Sequence, residues 1–283
     1  MSRACGKPPS SIVAGVVKKA ALADNLAVAA DRYFGSSPGG VTAGSAWAAV
    51  FAFSMQIFFD FSGYTDIAIG CALLLGYHFP MNFRRPYLAV SITDFWQRWH
   101  MSLSSWLRDY VYIPLGGNRR GRARTYANLL ATMLVGGLWH GANWNFVMWG
   151  GYHGLLLAME RVFGISARTR NRHWSLAAAP LSALTFLLVS IGWVFFRAAN
   201  LHHALAVIRD LATRGLGEWP VEPTLLVLVG MALLLAVFEE RGGWLHRVRF
   251  GSAWAVGLCA AVLLFVAEIF AAGHSLPFVY FQF

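Results

Sequence analysis

Long apolar runs separated by short polar segments are the main feature of this sequence. A straight membrane crossing needs roughly 20 residues, and several of the runs are shorter, so we expect tilted or re-entrant segments. The pattern predicts an all-α fold, a polytopic bundle of transmembrane helices forming one membrane-embedded domain over residues 1–283. The candidate spans are Ala43–Phe59, Gly63–Phe79, Tyr126–Trp139, Asn143–Met159, Leu176–Phe196, Thr224–Phe238 and Ala253–Ala271.

The composition supports this interpretation. Hydrophobic residues make up 57% of the chain, charged residues make up 13%, and the mean hydropathy is +0.52. An ordinary soluble domain is about 25% charged, so this chain has too little polar surface to cover a globule in water. We therefore exclude an ordinary soluble domain and expect contact with membrane lipid.

The net charge of +10 is distributed in short blocks between the apolar runs. Such blocks indicate membrane topology rather than a nucleic-acid-binding face, so we expect no nucleic-acid partner. Asn82–Thr125 carries eight arginines and two aspartates, Glu160–Ser175 is also positive, and Arg197–Pro223 is neutral. Because positive segments favour the cytoplasm, both ends of Tyr126–Met159 are expected there. This predicts a re-entrant or short hairpin around His140.

The segment from Asp94 to Tyr110 has helical periodicity. This spacing predicts an amphipathic interfacial helix with tryptophans on its apolar side. Ser91 or Thr93 is expected to cap its start, and Pro114 follows its end. The residues on the apolar side are Trp96, Trp99, His100, Leu103, Trp106, Leu107 and Tyr110.

Two histidines are candidates for chemistry. His140 lies at the end of a predicted span among Gly136, Gly137 and Gly141, which allow a substrate to approach closely. An imidazole can take a proton from a hydroxyl group and return one to a leaving group near neutral pH. His100 lies on the aromatic side of the interfacial helix, where it could face a cytoplasmic donor. Each could instead be a structural histidine.

Other polar residues near the spans are interpreted as structural. Asp60 and Asp66 could orient a histidine, hold an arginine, or cap and break a helix at Ser62-Gly63, and we favour a structural role. No cluster of histidine and cysteine has metal-ligand spacing, so no metal is expected. Five histidines are expected to be packing or surface residues: His78, His153, His202, His203 and His274.

Four blocks of the sequence resemble a known family. Phe59–Gly70 (FDFSGYTDIAIG) and Asp94–Tyr110, which begins DFWQRWHMSLS, are similar to hallmark segments of the membrane-bound O-acyltransferases of bacterial envelope polysaccharides. Tyr112–Arg119 (YIPLGGNR) is similar to the subgroup typified by the alginate O-acetyltransferase. Gly137–Trp144 (GLWHGANW) resembles the active-site block of the family. The resemblance extends from about Lys18 to the C-terminus.

The resemblance implies an enzyme, an O-acetyltransferase that passes several times through the inner (cytoplasmic) membrane of a bacterium. His140 matches the essential catalytic histidine of the family, and His100 matches its second functional histidine, both along a tunnel through the membrane. Five further residues in or beside these blocks are expected to bind substrate: Trp139, Asn143, Trp99, Arg108 and Asp109.

The resemblance also implies substrates and partners. Acetyl-CoA or another acyl thioester is the expected donor on the cytoplasmic side, and no bound cofactor is implied. An exported polysaccharide such as alginate is the expected acceptor, with help from periplasmic acetyl-transfer partner proteins. General-base catalysis by His140 and an acetyl-histidine intermediate both remain open.

Several alternatives accompany this interpretation. Family members carry further spans before the stretch that matches Ala14–Asp31. This chain is therefore expected to be a fragment, to have a mis-called start, or to be a shortened homologue. No cleavable signal peptide is evident in the sequence. Within the enzymes, D-alanyl transfer to teichoic acid is the alternative, and Gly116–Arg119 disfavours it. Outside them, the alternatives are a transporter or polymer-export component with His140 in a proton pathway, and a truncated non-catalytic membrane component.

Overall fold

The structure is a computed structural model that describes residues 8–35, 42–169 and 175–213, together with the single residues 215, 230 and 261. Within these residues every regular element is helical, which agrees with the all-α prediction. Apart from residues 230 and 261, the predicted spans Thr224–Phe238 and Ala253–Ala271 lie outside the described part of the chain.

The chain forms two compact units. The first comprises residues 1–36, 47–81 and 218–283, and the second comprises residues 37–46 and 82–217. The candidate site residues all lie in the second unit. The single domain expected over residues 1–283 stays a prediction.

The described part of the first unit contains helices whose backbones touch. Its elements are α1 (Pro8–Val17), a π-helical turn (Lys18–Ala23), α2 (Asp24–Phe34) and most of α3 (Ala43–Leu74). A Cβ atom added at Gly15 would lie 2.5 Å from the carbonyl oxygen of Gly63. The absence of a side chain at Gly15 therefore permits α1 to lie directly against α3.

Ion pairs join the π-helical turn to α3. Lys19 Nζ lies 2.8 Å from Asp60 Oδ1 and 2.8 Å from Asp24 Oδ1. Lys18 Nζ lies 2.7 Å from Asp66 Oδ2. Asp60 is almost completely buried, whereas about a third of the Asp66 side chain is exposed. Lysines are therefore partners of both aspartates, whereas the structural role favoured from the sequence was to cap and break a helix at Ser62-Gly63.

The predicted span Ala43–Phe59 and the residues from Gly63 to Leu74 form one continuous helix, so the predicted break at Ser62-Gly63 is wrong. This helix, α3, has 32 residues and is about 48 Å long at 1.5 Å per residue. The lysine partners neutralise Asp60 and Asp66, so α3 continues through Ser62 without a turn. The number of membrane crossings in this part of the chain stays a prediction.

The second unit is built around two packed 19-residue helices. The elements are α4 (Ile92–Trp96), α5 (Met101–Leu107), a π-helical turn (Arg108–Tyr112), α6 (Arg122–His140), α7 (Trp144–Val162), α8 (Ile165–Thr169), α9 (Ala179–Arg197) and α10 (Leu201–Thr213), with 3₁₀ turns at Pro86–Leu88 and Leu176–Ala178. α6 and α7 form the hairpin around His140 that the sequence predicts, and α7 also packs against α4, α9 and α10.

Glycines allow α6 and α7 to approach closely. A Cβ atom at Gly137 would collide with the carbonyl oxygen of Phe146, and a Cβ atom at Gly150 would collide with the carbonyl oxygen of Met133. Both obstacles are backbone atoms, which cannot move aside as a flexible side chain can. The spacing of these two helices therefore depends on glycine at both positions.

Gly150→Ala is expected to lower the free energy of unfolding by about 1–3 kcal/mol, because the added methyl group must push α6 away from α7. Gly151→Ala is the matched control, since its Cβ atom would lie an ordinary 3.8 Å from Leu134 Cδ2. Alanine favours a helix interior over glycine, so this control is expected to gain up to about 1 kcal/mol. Thermal unfolding in detergent measures both variants, and equal shifts would contradict the packing argument.

The single amphipathic helix predicted over Asp94–Tyr110 is wrong. The short helices α4 and α5 take its place, and His100 between them has a left-handed backbone with φ +43° and ψ +56°. A preceding segment of the chain fills this break, because the Met101 N–H donates to the carbonyl oxygen of Asn82 at 2.9 Å. Side-chain periodicity does not reveal a break that depends on a hydrogen bond to another segment.

Two of the three tryptophans of this region are buried in the protein interior. Trp96 and Trp99 are buried, whereas Trp106 is exposed. The predicted cap is confirmed for Ser91, whose Oγ accepts the N–H of Asp94 at 3.1 Å. The apolar side that suggested a membrane interface is therefore largely used for packing within the second unit.

Two helices in the described ranges are long and apolar enough to cross a membrane, judged by length and composition alone. They are α3 and Leu176–Arg197, and the latter matches the predicted span Leu176–Phe196. α6 and α7 are longer than the predicted spans Tyr126–Trp139 and Asn143–Met159, but they are not among these two helices. The multi-pass arrangement and a re-entrant placement of the hairpin stay predictions.

Candidate active site

His140 lies at the turn of the α6–α7 hairpin. It is the last residue of α6, and the next residue, Gly141, has φ +155°, a conformation that favours glycine. A Cβ atom at Gly141 would lie 2.9 Å from the ring of Phe146. α7 begins after Asn143, whose Oδ1 accepts the N–H of Asn145 at 3.0 Å. The turn therefore fixes the position of His140.

Aromatic rings surround the half-buried imidazole of His140. Its ring centroid lies 5.2 Å from that of Trp149 and 5.0 Å from that of Phe196, with interplanar angles of 90° and 79°. The rings of Phe146 and Trp139 lie 6.1 Å and 5.0 Å away. Because α6, α7 and α9 supply these rings, the enclosure forms only in the folded unit. It can limit the access of water to a reacting group.

His100 has a left-handed backbone conformation that is uncommon for a residue other than glycine. Its Nδ1 lies 3.3 Å from Asn82 Oδ1 and 3.2 Å from Ser102 Oγ, and the backbone N–H of Ser102 donates to the same Asn82 oxygen at 3.1 Å. These contacts fix the orientation of the ring.

Burial, and to a lesser extent the nearby His140, lowers the pKa of His100 from 6.5 to about 3. His100 is therefore neutral near pH 7, with one ring nitrogen as donor and the other as acceptor. Between pH 6.5 and 3 the unfolded chain binds a proton at this residue that the folded protein does not. The contribution of His100 to stability consequently becomes less favourable as the pH falls below about 6.5.

Trp139 contacts both histidines. Its ring centroid lies 5.0 Å from that of His140 and 6.0 Å from that of His100. Half of this tryptophan is exposed. The structure thus brings His100 to the adjacent residues Trp139 and His140, and an accessible indole lies against both imidazoles.

The other predicted site residues have varied surroundings. Trp99 is buried and packs against Trp193, with ring centroids 5.0 Å apart, so it is part of the core. Arg108 and Asp109 are exposed in the π-helical turn after α5, with Nε and Oδ1 2.7 Å apart. The Arg108 guanidinium holds the pKa of Asp109 below its usual range. Asn143 caps α7. Substrate binding by these four residues stays a prediction.

Sequence reasoning did not assign a site role to several residues at the same helix junction. Trp149 and Phe196 form walls beside His140. His153, one helical turn after Trp149, is fully buried. Asn145 Nδ2 donates to the carbonyl oxygen of Ala198 at 2.7 Å and so connects the start of α7 to the end of α9. The i, i+4 spacing of Trp149 and His153 places them on one face of α7, which is the signal that the sequence offered.

Glu160 near the end of α7 holds the start of α4. Its carboxylate accepts the backbone N–H groups of Ile92 at 2.5 Å and Thr93 at 2.9 Å, and the Thr93 hydroxyl at 2.8 Å. α4 leads directly into the segment that carries His100. Glu160 therefore fixes this segment against the helix that carries the walls of the His140 enclosure.

Glu160→Ala is expected to lower the free energy of unfolding by about 1–3 kcal/mol, because two backbone N–H groups lose their acceptor in a buried position. Glu160→Gln keeps one carbonyl acceptor and should lose less. Arg161→Ala, at the exposed neighbouring position, is the control and should change the stability little. Thermal unfolding measures all three variants, and an unchanged Glu160→Ala protein would contradict the proposed anchoring.

Comparison with known proteins indicates the family of this chain. Residues 13–197 match the family described as MBOAT, membrane-bound O-acyltransferase family. A Pseudomonas putida protein named probable alginate O-acetylase AlgI is 42% identical over 95% of this chain and 59% of its own length. A Helicobacter pylori peptidoglycan O-acetyltransferase is 43% identical over 70% of this chain and 37% of its own length. A Bacillus subtilis teichoic acid D-alanyltransferase is 32% identical over 54% of this chain and 41% of its own length.

These matches confirm the resemblance that the sequence blocks indicate. The chain spans about three fifths of the length of the Pseudomonas putida relative and a smaller share of the other two. The family match covers most of the chain and includes His100, His140 and the helices that enclose them. The chain therefore belongs to the membrane-bound O-acyltransferase family.

Proposed function

We propose that this chain carries the acyl-transfer centre of an O-acetyltransferase that acts on an exported polysaccharide such as alginate. The observation that carries the proposal is the pair of histidines, His100 and His140, joined through Trp139. His140 lies within aromatic walls, and His100 has a fixed ring orientation. The relatives named for O-acetylation of alginate and of peptidoglycan support the reaction class.

In the proposed reaction, neutral His140 acts as a general base towards a hydroxyl group of the acceptor. As the imidazole takes the proton, the hydroxyl oxygen attacks the carbonyl carbon of the acyl thioester. The carbon–sulfur bond breaks, and the leaving thiolate takes the proton from the imidazolium. The products are an acetyl ester and a free thiol, and His140 returns to its neutral form.

His100 is proposed to position the donor or to relay a proton, since its neutral ring offers one donor and one acceptor. An acetyl-histidine intermediate is the competing route, in which His140 itself attacks the thioester and then transfers the acetyl group to the acceptor. A rapid burst of thiol release without acceptor would favour this second route. Thiol release that depends strictly on acceptor would favour the general-base route.

The proposed setting is the bacterial inner membrane, crossed several times by the chain. Acetyl-CoA or another acyl thioester is the proposed donor at the cytoplasmic side, and periplasmic partner proteins are proposed to assist the transfer of the acetyl group towards the polymer. Trp139, which is half exposed, and the exposed pair Arg108 and Asp109 are proposed contacts for substrate.

D-alanyl transfer to an envelope polymer is the second candidate, because a relative carries the name teichoic acid D-alanyltransferase. The two candidates differ in their donor. Labelled acetyl-CoA and a labelled D-alanyl carrier-protein thioester can therefore be offered separately to membranes that contain this chain, its export partners and the matching acceptor polymer. Label transfer from acetyl-CoA alone supports O-acetylation, and transfer only from the carrier protein supports D-alanylation. Transfer from neither donor would contradict both candidates and favour a non-catalytic component.

A further inference from the structure

His153 is a buried imidazole for which the proposed reaction has no role. It is 0% exposed, and neither Nδ1 nor Nε2 has a hydrogen-bond partner. Buried polar groups are nearly always hydrogen-bonded, because an unpaired group loses its interaction with water and gains nothing in return. Phenylalanine would fill a similar volume without this loss. The polar atoms of His153 therefore require an explanation other than packing.

Two tryptophans beside His153 have the same property. The indole Nε1 atoms of Trp96 and Trp149 are buried and also lack hydrogen-bond partners. The three rings form a triangle, with centroid distances of 5.3 Å from His153 to Trp96, 5.2 Å from His153 to Trp149, and 5.6 Å between the tryptophans. Of the eleven buried side-chain polar atoms without a hydrogen-bond partner in the described residues, four lie in this cluster of α4 and α7.

This cluster adjoins the candidate active site. Trp149 is common to both, because its ring also stands perpendicular to that of His140 at 5.2 Å. On the opposite helix, a Cβ atom at Gly192 would lie 2.8 Å from His153 Nε2. Glycine is unfavourable in a helix interior, and here it leaves space for an imidazole nitrogen. Gly192 of α9 therefore leaves space for the Nε2 atom of His153.

The chemistry of the cluster selects its ligand. An indole only donates a hydrogen bond, and a neutral imidazole donates one and accepts one. The three donors suit an oxygen atom that accepts hydrogen bonds, whereas the acceptor nitrogen of the imidazole suits the O–H group of a water molecule. We propose that His153, Trp96 and Trp149 form a buried polar subsite that binds such an oxygen beside His140. The oxygen belongs to the acyl carbonyl of the donor or to a bound water molecule, and the first of these rests on the proposed acyl transfer.

His153→Phe separates this proposal from simple packing. If the imidazole only fills space, removal of two unpaired nitrogens leaves acyl transfer unchanged and leaves thermal stability unchanged or higher. If the subsite binds the acyl carbonyl oxygen of the donor, transfer falls at least 10-fold while the folded protein keeps its melting temperature. His153→Gln retains a donor and an acceptor and is expected to recover part of the rate. Full transfer by His153→Phe would overturn a role in the reaction.

A spectroscopic measurement keeps the test independent of activity. The full chain with ¹⁵N-labelled histidine is examined by NMR without ligand, with coenzyme A and with acetyl-CoA, and the His153 signals are assigned by their loss in His153→Phe. Ring-nitrogen shifts typical of hydrogen bonding only with acetyl-CoA identify the acyl carbonyl. The same shifts in all three samples identify water. Shifts typical of free nitrogens in every sample would overturn the subsite.

The two proposals fail separately. If the wild-type chain transfers no acetyl group in the presence of its partners, the proposed function is wrong, whereas hydrogen-bonded His153 signals would still establish the polar subsite with water as its ligand. If the wild-type chain is active and His153→Phe is equally active, the subsite has no part in the reaction, whereas the proposed function stands.

Discussion

Replacement of His140 with alanine is expected to lower the rate of acetyl transfer by about 10²–10⁴-fold, the range typical of a lost general acid–base group. The reason is that the acceptor hydroxyl then keeps its proton during the attack, and the leaving thiolate has no proton donor beside it. The rings of Trp149 and Phe196 remain, so the enclosure itself should persist. The measurement is transfer of labelled acetyl groups to polysaccharide in membranes that contain the export partners.

His202→Ala is the matched control for this experiment. It removes the same imidazole from an exposed position near the start of α10. The control is expected to retain wild-type transfer, and both variants should reach similar levels in the membrane. Retention of wild-type turnover by His140→Ala would refute the catalytic assignment. Equal losses in both variants would indicate an effect on expression or assembly instead.

Replacement of Lys19 with methionine is expected to lower the free energy of unfolding by about 3–5 kcal/mol, the range for removal of one partner from a buried ion pair. Methionine fills much of the volume of the lysine stem but leaves Asp60 and Asp24 without the cation that lies 2.8 Å from each. Both carboxylates are buried, so water does not replace the lost interaction. Thermal unfolding of the purified chain in detergent measures the loss.

Lys18→Met tests the same chemistry in a more exposed pair. About a third of the side chain of its partner Asp66 is exposed. The free energy of unfolding is therefore expected to fall by at most about 1 kcal/mol. Asp60→Asn added to Lys19→Met should recover part of the stability, because one buried negative charge is removed. Equal destabilisation by the two lysine variants would contradict the importance of burial.

The family relationship and the two central histidines could be predicted from sequence because they depend on local blocks of residues. The block around His140 contains glycines, an ionisable residue and an asparagine at a helix start, and the structure places these residues at a hairpin turn. Ser91 was also predictable as a cap, because a cap involves residues only three positions apart. These features require no knowledge of distant contacts.

The predictions that failed depended on distant partners. The charges of Asp60 and Asp66 suggested a helix break, but lysines from an earlier segment neutralise them within α3. The periodicity from Asp94 to Tyr110 suggested one helix, but Asn82 supplies hydrogen bonds that replace helical ones near His100. A pattern along the chain cannot show which remote group compensates a charge or a free N–H.

The sequence by itself determined that the chain is helical, that it is suited to lipid, and that His140 and His100 are its leading candidates for acyl-transfer chemistry. Only the tertiary structure decided that Trp139 contacts both histidines, that Trp149 and Phe196 enclose His140, and that His153 is buried among unpaired indoles. Helical and lipid preference follow from composition and short-range spacing. Enclosure, burial and hydrogen-bond satisfaction depend on which helix faces meet, and that is settled by packing between segments far apart in the chain.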